Sequence, residues 1–488
     1  MSLGLNEKFS ILQQSPHDSL PPEHPEPKEG GATTWVPSRY NIRATTEDGR
    51  LVLWNTFRGS MSVFQPDQVP QVLPLLSRKG IAAEAEGIVG YLVERGYLIK
   101  QGANEYRQVQ VAIDQQQFRT DRLELILLAS EDCNFRCKYC YEQFARGTMQ
   151  PEVRTGIKNL VLRRLKRLAS LQVSWFGGEP LYGFQAIEDL APFFLQTAEE
   201  NDLAYSGGMT TNAYLLTPEV ADKLLAWKIR HYQITIDGLP ADHDRNRPTR
   251  DGQGTFARIF DNLVALGRRD DDFGVTIRIN FDQENHPGLP ELLERLEKHF
   301  SGDTRFGLNF FPIGRWGGPQ DADLKVCGKD EVNRVRQELR AEADRRGLKI
   351  GTIKGINRIG GEVCYAARPY NLIIGATGKI MKCTIALDTE DYNVVGTLNE
   401  DGDLHLGRDK MALWTEPAFE GDTRCQKCVV LPICQGTHCP LIRIVDHKSP
   451  CCSVRSSPKR QLLDVVKYDG ARARRAIVGV PADPVMGG

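Results

Sequence analysis

Apolar residues in the middle of the chain follow two alternating patterns. Short apolar runs are typical of buried strands, and between them apolar residues recur at helical spacing near 150–169, 184–199, 217–227, 255–268 and 289–299. Strands that alternate with helices pair in parallel through right-handed crossovers. We therefore predict an α/β fold, a partial (β/α)6 TIM-type barrel, with six strands at LELILLA, LQVSWF, LAYSGGMT, HYQITI, FGVTIRIN and TRFGLNFF.

A different pattern precedes the barrel. The runs RYNIRATT and RLVLWNT are separated by Asp48-Gly49, which is a hairpin signal. Two short amphipathic helices near 67–76 and 83–94 follow, and then the strand-like YLIK. This region predicts a small α+β module. Residues 1–34 are rich in proline, acidic residues and glycine, and predict a flexible leader.

Regular periodicity fades after a charged helix near 329–346, and eight of the twelve cysteines lie between Cys364 and Cys452. Turn-rich sequence with few apolar residues needs another source of stability, which metal clusters supply. The predicted domains are the leader 1–34, the N-terminal module 35–117, the barrel 118–320, a bridging helix 321–354, a Cys-rich domain 355–455 and a basic tail 456–488.

Charge and composition exclude several classes of protein. The chain has 62 basic and 63 acidic residues, so it has no excess of positive charge that would favour binding to nucleic acid or to an anionic membrane. No apolar run reaches the roughly 18–20 residues that span a bilayer. The N-terminus lacks the charged segment followed by an apolar segment that is typical of a signal peptide. We therefore expect a cytoplasmic protein, in which clustered cysteines bind metal rather than form disulfides.

The first cysteine cluster, Cys133-Asn-Phe-Arg-Cys137-Lys-Tyr-Cys140, directly follows the strand LELILLA. Three thiolates at this spacing hold three corners of a [4Fe–4S] cluster and leave one iron open for chemistry. A zinc knuckle is the alternative, but zinc normally takes four ligands in paired spacing and no fourth cysteine lies nearby.

This cluster resembles the CxxxCxΦC motif of the radical S-adenosylmethionine (SAM) superfamily, with Tyr139 at the aromatic position. The segment Gly177-Gly178-Glu179-Pro180, at the end of the second strand, is similar to the family's GGEP segment. The resemblance implies that SAM chelates the open iron and that Tyr139 contacts its adenine. It also implies that the GGEP backbone and Glu179 receive the SAM ammonium.

Further polar residues follow the later strands, at the rim where barrel enzymes build their sites. Taken singly, each would be an ordinary strand-end cap or a surface ion pair. The resemblance places Thr235 and the catalytic candidate Asp237 near the SAM ribose and methionine, and Arg247 at the SAM carboxylate. The cofactor-binding candidates at these strand ends are Thr211, Asn212, Thr235, Arg247 and Asn280.

The second cysteine cluster resembles a SPASM domain, an extension that carries two auxiliary iron–sulfur clusters. Cys364 precedes Gly378 by thirteen intervening residues, and four more separate Gly378 from Cys383. The later spacing Cys-x2-Cys-x5-Cys-x4-Cys departs from the family in its last gap, where His438 occupies the expected cysteine position.

The resemblance also implies which cysteines share each auxiliary cluster. Cys364, Cys383 and Cys439 would hold the first, with a fourth position that is open or filled by Cys327. The second would be held by Cys425, Cys428 and Cys434 together with Cys451 or Cys452. A structural zinc ribbon is the alternative for this region.

The N-terminal module resembles, in position and layout, the winged-helix-like RiPP recognition element, where RiPP means a ribosomally made and post-translationally modified peptide. Such a module binds a leader peptide as an added strand at a sheet edge. A DNA-binding winged helix is the competing interpretation. Residues 39–114 hold nine Lys and Arg against eight Asp and Glu, so they present no basic face.

By resemblance, the chain is a radical SAM oxidoreductase that abstracts hydrogen from a precursor peptide and forms an intramolecular thioether or carbon–carbon crosslink. A flavodoxin- or ferredoxin-like donor would supply the electron that cleaves SAM, and an auxiliary cluster would accept the electron that the substrate radical loses. The alternatives are maturation of a partner enzyme by Cys or Ser oxidation or thioether formation, peptide epimerisation or decarboxylation, and a zinc-binding peptide adaptor.

Overall fold

The computed structural model describes residues 33–77, 80–144, 146–350, 364–387, 389–417, 422–434, 439–446, 459 and 462–463. Contacts divide the chain into two compact units. The first comprises Met1–Gln117, Ile353–Cys364 and Pro417–Gly488, and the second comprises Phe118–Thr352 and Tyr365–Glu416. Nearly all of the predicted leader and of the predicted basic tail lies outside the described residues.

The N-terminal part of the first unit contains small strands and short helices. In order they are β1 (Thr34–Pro37), β2 (Asn41–Thr45), β3 (Leu51–Asn55), β4 (Met61–Phe64), α1 (Val69–Leu75), β5 (Ile81–Ala82), α2 (Gly87–Glu94), β6 (Leu98–Lys100) and α3 (Glu105–Gln117). The strands form two antiparallel sheets, of order β5-β1-β6 and β2-β3-β4. The predicted hairpin corresponds to β2 and β3, whereas β1, β4, β5 and α3 were not predicted.

The second unit begins with alternating strands and helices. They are β7 (Arg122–Ser130), α4 (Pro151–Arg164), β8 (Ser170–Gly177), α5 (Phe184–Glu200), β9 (Ala204–Thr211), α6 (Pro218–Ala226), β10 (Ile229–Thr235), α7 (Pro240–Asn246), α8 (Phe256–Gly267), β11 (Gly274–Phe281), α9 (Leu289–Phe300), β12 (Phe306–Pro312), α10 (Lys329–Arg345) and β13 (Lys349–Ile350). Strands β7 to β12 are neighbours in chain order, and each pair is parallel. The predicted α/β fold with a mostly parallel sheet is confirmed.

The apolar pattern explains why these elements pack. The strand β7 is buried along almost its whole length, as expected for a parallel strand covered on both faces. The helix α9 buries Leu289, Leu292, Leu293, Leu296 and Phe300 on one face. Each such side chain contributes about 1.5–3 kcal/mol when it is fully removed from water. The helix α9 therefore packs through one strip of apolar residues.

Four further strands extend the sheet beyond β7. They are β14 (Asn371–Ile374), β15 (Lys379–Met381), β16 (Val394–Leu398) and β17 (Leu404–Leu406), and α11 (Arg408–Thr415) follows them. The strand β14 pairs in parallel with β7, and the rest continue as an antiparallel meander. The sequence pattern did not reveal them because each is short and depends on the edge that β7 offers.

The C-terminal part of the first unit packs on the N-terminal module. Its helices are α12 (Thr423–Gln426), α13 (Leu431–Cys434) and α14 (Pro440–Asp446). Val430 and Leu462 share a buried cluster with Ile42, Trp54 and Val63. Residues from the N-terminal module and from the C-terminal part of the chain therefore share one hydrophobic core. The proposed domain boundaries stay a prediction, and the Cys-rich region 355–455 is divided between the two units.

No helix in the described part of the chain combines the length and the apolar character needed to cross a bilayer.

Candidate functional site

The first cysteine loop leaves the carboxyl end of β7 and is held against the segment that follows α7. The backbone N–H of Arg136 donates to the carbonyl of Pro248 at 2.9 Å, and that of Lys138 to the carbonyl of Asn246 at 2.9 Å. Within the loop, the N–H of Cys140 donates to the carbonyl of Cys137 at 3.1 Å. These backbone bonds fix the loop that carries the three thiols.

The three thiols lie near one another. Burial raises the pKa of Cys133, and the negative charges of Glu179, Cys137 and Cys140 raise it further. Burial also raises the pKa of Cys140 to about 12, with Glu142 and Cys137 adding to the effect. The raised pKa values keep these thiols neutral without a metal, and a bound metal would deprotonate them. The donor set therefore fits a cluster held by three cysteines, as the loop spacing predicts.

Two glycines allow the end of β8 to approach this loop. Gly177 has a φ of +118°, and a Cβ there would lie 2.1 Å from the carbonyl oxygen of Ser130. A Cβ on Gly178 would lie 2.5 Å from the carbonyl oxygen of Asp132. Residues with a side chain do not fit at either position. The next residues, Glu179 and Pro180, thereby lie beside the cysteine loop.

Glu179 is a fully buried carboxylate with three donors. It accepts hydrogen bonds from Thr211 Oγ1 at 2.7 Å, from the N–H of Asn212 at 2.7 Å and from the N–H of Leu181 at 3.0 Å. Burial raises the pKa of Glu179, and these donors act against that shift. A buried carboxylate at the carboxyl ends of β8 and β9 suits a cationic ligand such as an ammonium group.

The hydroxyl of Tyr139 is the centre of a second polar network. It donates to Asp237, and it accepts from Arg247 Nη1 at 2.7 Å and from Asn280 Nδ2 at 3.1 Å. Burial raises the pKa of the Asp237 carboxyl, while Arg247 and the Tyr139 hydrogen bond act in the opposite direction. Thr235 ends β10 two residues before Asp237. The network thus joins the cysteine loop to the ends of β10 and β11.

Several buried polar atoms around this network have no hydrogen-bond partner among the described residues. They include Asp237 Oδ1, Arg247 Nε and His243 Nε2. A buried polar group without a partner typically costs about 1–3 kcal/mol. A bound molecule with its own hydroxyl and carboxylate groups would satisfy them. These atoms therefore fit a polar ligand such as SAM beside the cysteine loop.

Sequence reasoning missed two residues that support the site. Asn285 Nδ2 donates to the carbonyl of Asp237 at 2.8 Å and to that of Asn280 at 3.0 Å. Asn134 Oδ1 accepts from Asn212 Nδ2 at 2.8 Å. Asn285 lies in the loop after β11. Searching for polar residues throughout the loops that follow the strands, and not only at the strand ends, would have identified it.

Cys383 lies in the second unit, directly after the hairpin formed by β14 and β15. Gly378, with a φ of +83°, is in the turn of that hairpin, which explains the glycine in the motif. Burial raises the pKa of Tyr141, and the charges of Glu142, Cys140, Tyr365 and Cys383 add to the shift. Cys140 and Cys383 are therefore both close to Tyr141.

The first unit brings together three of the cysteines predicted for the second auxiliary cluster. Burial raises the pKa of Cys425 to about 11, with the charges of Asp422, Cys434 and Cys428 contributing to this shift. Cys364 is half-buried in this unit, and Cys439 directly precedes α14. The remaining predicted ligands, Cys451 and Cys452, lie outside the described residues, as does His438.

Comparison with known proteins agrees with this geometry. The Radical SAM superfamily matches residues 127–296. The GTP 3',8-cyclase of Cyanothece sp. is 31% identical over 246 residues, which cover 49% of this chain and 68% of that protein. The mycofactocin maturase MftC of Mycolicibacterium smegmatis is 32% identical over 325 residues, or 62% of this chain and 74% of MftC.

A solved structure has the same fold. Native anSMEcpe with bound AdoMet and the Cp18Cys peptide superposes with a TM-score of 0.52 at 18% identity, covering 73% of this chain and 99% of that chain. The cysteine loop, the buried Glu179 and the polar network lie at the carboxyl ends of the parallel strands within the matched part of the chain. Together with the identity to the cyclase and to MftC, they show that this chain belongs to the radical SAM superfamily.

Proposed function

We propose that this protein is a radical SAM enzyme that forms an intramolecular thioether or carbon–carbon crosslink in a ribosomally made precursor peptide. The observation that carries the proposal is the meeting of three thiols, a buried carboxylate and a partly unsatisfied polar network at one rim of the barrel. Such a site can bind a reactive cofactor and exclude water from it.

The roles of the rim residues are those that the resemblance implies, and their positions at the rim support them. Cys133, Cys137 and Cys140 would hold a [4Fe–4S] cluster, which together with SAM supplies a 5′-deoxyadenosyl radical that removes a hydrogen atom from the substrate. Glu179 would accept the SAM ammonium, and Arg247 would bind the carboxylate. The Tyr139 hydroxyl already has three partners, so we expect its ring or backbone to meet the adenine.

Asp237 and its neighbours would orient the rest of SAM. The unpaired Asp237 Oδ1 is placed to accept a hydrogen bond from a ribose hydroxyl, next to Thr235 at the end of β10. Asn285 holds the backbone of Asp237 and Asn280 in place from the loop after β11. A rigid backbone at these positions lowers the entropy cost of binding in a reactive geometry.

The other cysteines would hold two auxiliary clusters that supply one-electron transfer, as a crosslink requires. Cys425, Cys428 and Cys434 are near one another, in line with their assignment to one cluster together with Cys451 or Cys452. Cys364, Cys383 and Cys439 would hold the other. A flavodoxin- or ferredoxin-like protein would be the electron donor.

The case for a peptide substrate rests on the relatives and on the first unit. MftC is named a maturase, and its alignment is longer than the matched segment 127–296, so it includes parts of the chain outside that segment. The fold also accommodates a peptide with AdoMet, as in anSMEcpe. The N-terminal module, with two three-stranded sheets and three helices, would bind the leader of the precursor.

The sheet β2-β3-β4 has two edges at which a leader strand could add. The N–H of Thr56 donates to Tyr40, and the N–H of Asn55 donates to Ser60. Because hydrogen-bonded and non-hydrogen-bonded pairs alternate in antiparallel sheets, the N–H groups of Arg43 on β2 and Val63 on β4 point outward. Arg43 is exposed, so its N–H is available to a peptide, whereas Val63 is fully buried. The edge at which a leader would add is therefore β2.

Proline at Arg43 tests the proposed peptide site. In Arg43→Pro, the outward N–H is lost while the pairing of β2 with β3 needs no donor from residue 43. We expect the precursor affinity of this variant to fall at least about tenfold, equal to about 1.4 kcal/mol. Fluorescence anisotropy measures it with a labelled candidate precursor, which is to be sought among short open reading frames beside the gene.

Arg43→Thr is the matched control, because it keeps the backbone N–H and suits a strand. Its precursor affinity should equal that of the unchanged protein. Unaltered affinity in Arg43→Pro would rule out strand addition at β2.

Mass spectrometry of the product identifies the reaction. The reconstituted enzyme, SAM, dithionite and the same peptide should yield a product that has lost two hydrogen atoms and contains an intramolecular bond. An unchanged mass would point instead to epimerisation. Because a GTP 3',8-cyclase is among the relatives, GTP is the matched small-molecule probe, and its consumption without any change in the peptide would refute peptide modification.

A further inference from the structure

A group of metal-binding side chains lies in the second unit outside the residues assigned to SAM and its cluster. His286, Cys327 and Glu331 each offer one ligand atom, and these atoms lie within 4.8 Å of one another. All three side chains are partly exposed, so an ion could reach them from solvent. The function proposed above does not require this group.

Two segments of the fold bring these residues together. His286 lies in the loop after β11, whereas Cys327 and Glu331 lie at the start of α10. The N–H of Gln283 donates to the carbonyl of Lys325 at 3.0 Å, so the two segments are already joined through their backbones. The three ligand atoms therefore sit on a framework that is fixed on both sides.

The orientation of the Glu331 carboxylate leaves one oxygen available. Oε2 accepts from the N–H of Gly328 at 3.2 Å and from Gln283 Nε2 at 3.4 Å. Oε1 faces His286 Nε2 at 3.4 Å. Ligands at about 2.0–2.3 Å from a tetrahedral ion lie roughly 3.3–3.7 Å apart, so this pair already has the spacing of two zinc ligands.

We propose that His286, Cys327 and Glu331 bind one zinc ion, with water as the fourth ligand. One imidazole, one thiolate and one carboxylate form a mixed nitrogen, sulfur and oxygen set that suits Zn²⁺, and the two anionic ligands neutralise its charge. The ion connects the loop after β11 to the start of α10. That loop also carries Asn285, which holds the backbone of Asp237.

Metal analysis and X-ray absorption of the full-length protein test this proposal. The chain is purified and reconstituted with iron and sulfide without oxygen, and given Zn²⁺ alone as the added divalent metal. We expect about one zinc per chain, bound by one sulfur at about 2.3 Å and by nitrogen or oxygen at about 2.0–2.2 Å. Zinc trapped in empty iron–sulfur sites would instead show three or four sulfur ligands.

Variants separate this site from the iron–sulfur clusters. His286→Gln and Cys327→Ser should each lose the zinc and keep the full iron content, and Cys327→His should keep the zinc but lose its sulfur ligand. His299→Gln, at an exposed histidine on α9, is the matched control and should keep both metals.

Three results would overturn the proposal: no zinc in the unchanged protein, zinc bound only by several sulfur atoms, or a loss of iron in Cys327→Ser. The last would place Cys327 on an auxiliary cluster. Because iron content and SAM cleavage are measured in the same samples, a failure here is distinct from a failure of the proposed radical SAM function.

Discussion

Replacing Cys133, Cys137 and Cys140 together by alanine should abolish SAM cleavage and remove about four iron atoms per chain. The reason is that the three thiols share one small volume beside Glu179, and no other cysteine lies in that loop. Anaerobic incubation with dithionite and SAM, followed by chromatography for 5′-deoxyadenosine, measures the first effect. Iron and sulfide analysis measures the second.

The matched control for this experiment is Lys138→Ala, which changes a residue of the same loop that carries no thiol and keeps its backbone N–H. It should cleave SAM at the rate of the unchanged protein. Production of 5′-deoxyadenosine by the triple variant would reject the assignment of the loop. Loss of all iron in the triple variant would show that the auxiliary clusters depend on this loop.

A single methyl group at Gly177 should lower the rate of SAM cleavage at least about 100-fold, since a displacement of about 1 Å at a catalytic site can have an effect of that size. In Gly177→Ala the new Cβ would meet the Ser130 carbonyl at 2.1 Å, and the residue would have to keep a φ of +118°. The strand β8 or the cysteine loop must therefore move. The rate of 5′-deoxyadenosine formation checks this.

Gly274→Ala is the control for the Gly177 variant. Gly274 begins β11 at the opposite end of the barrel, and the nearest atom to a Cβ there lies at 3.9 Å, which is an ordinary contact. Its SAM cleavage should be unchanged. Equal rates for Gly177→Ala and Gly274→Ala would show that the close approach of β8 to the cysteine loop is not required.

The structure also indicates how the N-terminal module should be tested. Val430, Leu431 and Leu462 are buried against residues of this module. Deleting residues 1–117 would expose them, at a cost of about 1.5–3 kcal/mol for each side chain. A truncated chain would therefore lose stability as well as peptide binding. A single substitution at the exposed Arg43 on β2 avoids this problem.

The barrel was predictable because its strands and helices are long enough to show their own periods. Six apolar runs matched β7 to β12, and the five barrel helices were found within a few residues of their bounds. The short helix α7 and the strands β14 to β17 were missed. Strands of three to five residues carry too little pattern, and their pairing depends on a neighbour from a distant part of the sequence.

The candidate site was predictable as a set of residues but not as a network. Because parallel strands end at one rim of the sheet, the sequence predicted that Glu179, Thr211, Asp237 and Asn280 lie at that rim. The structure places them there, with Thr211 bonded to Glu179 and Asn280 bonded to Tyr139. The sequence did not show that the Tyr139 hydroxyl joins three of the candidates. These hydrogen bonds join side chains that are 98, 108 and 141 residues apart, so no local sequence pattern indicates them.

The sequence alone determined the chemistry: the cysteine spacing, the two glycines before Glu179 and the order of strands and helices are local features that can be read along the chain. Only the tertiary structure decided which distant parts meet. It joins the N-terminal module to the segment of Cys425 and Cys428 in one core, and it brings His286 next to Cys327 and Glu331. Such contacts arise from the burial of apolar surface, which does not depend on separation along the chain.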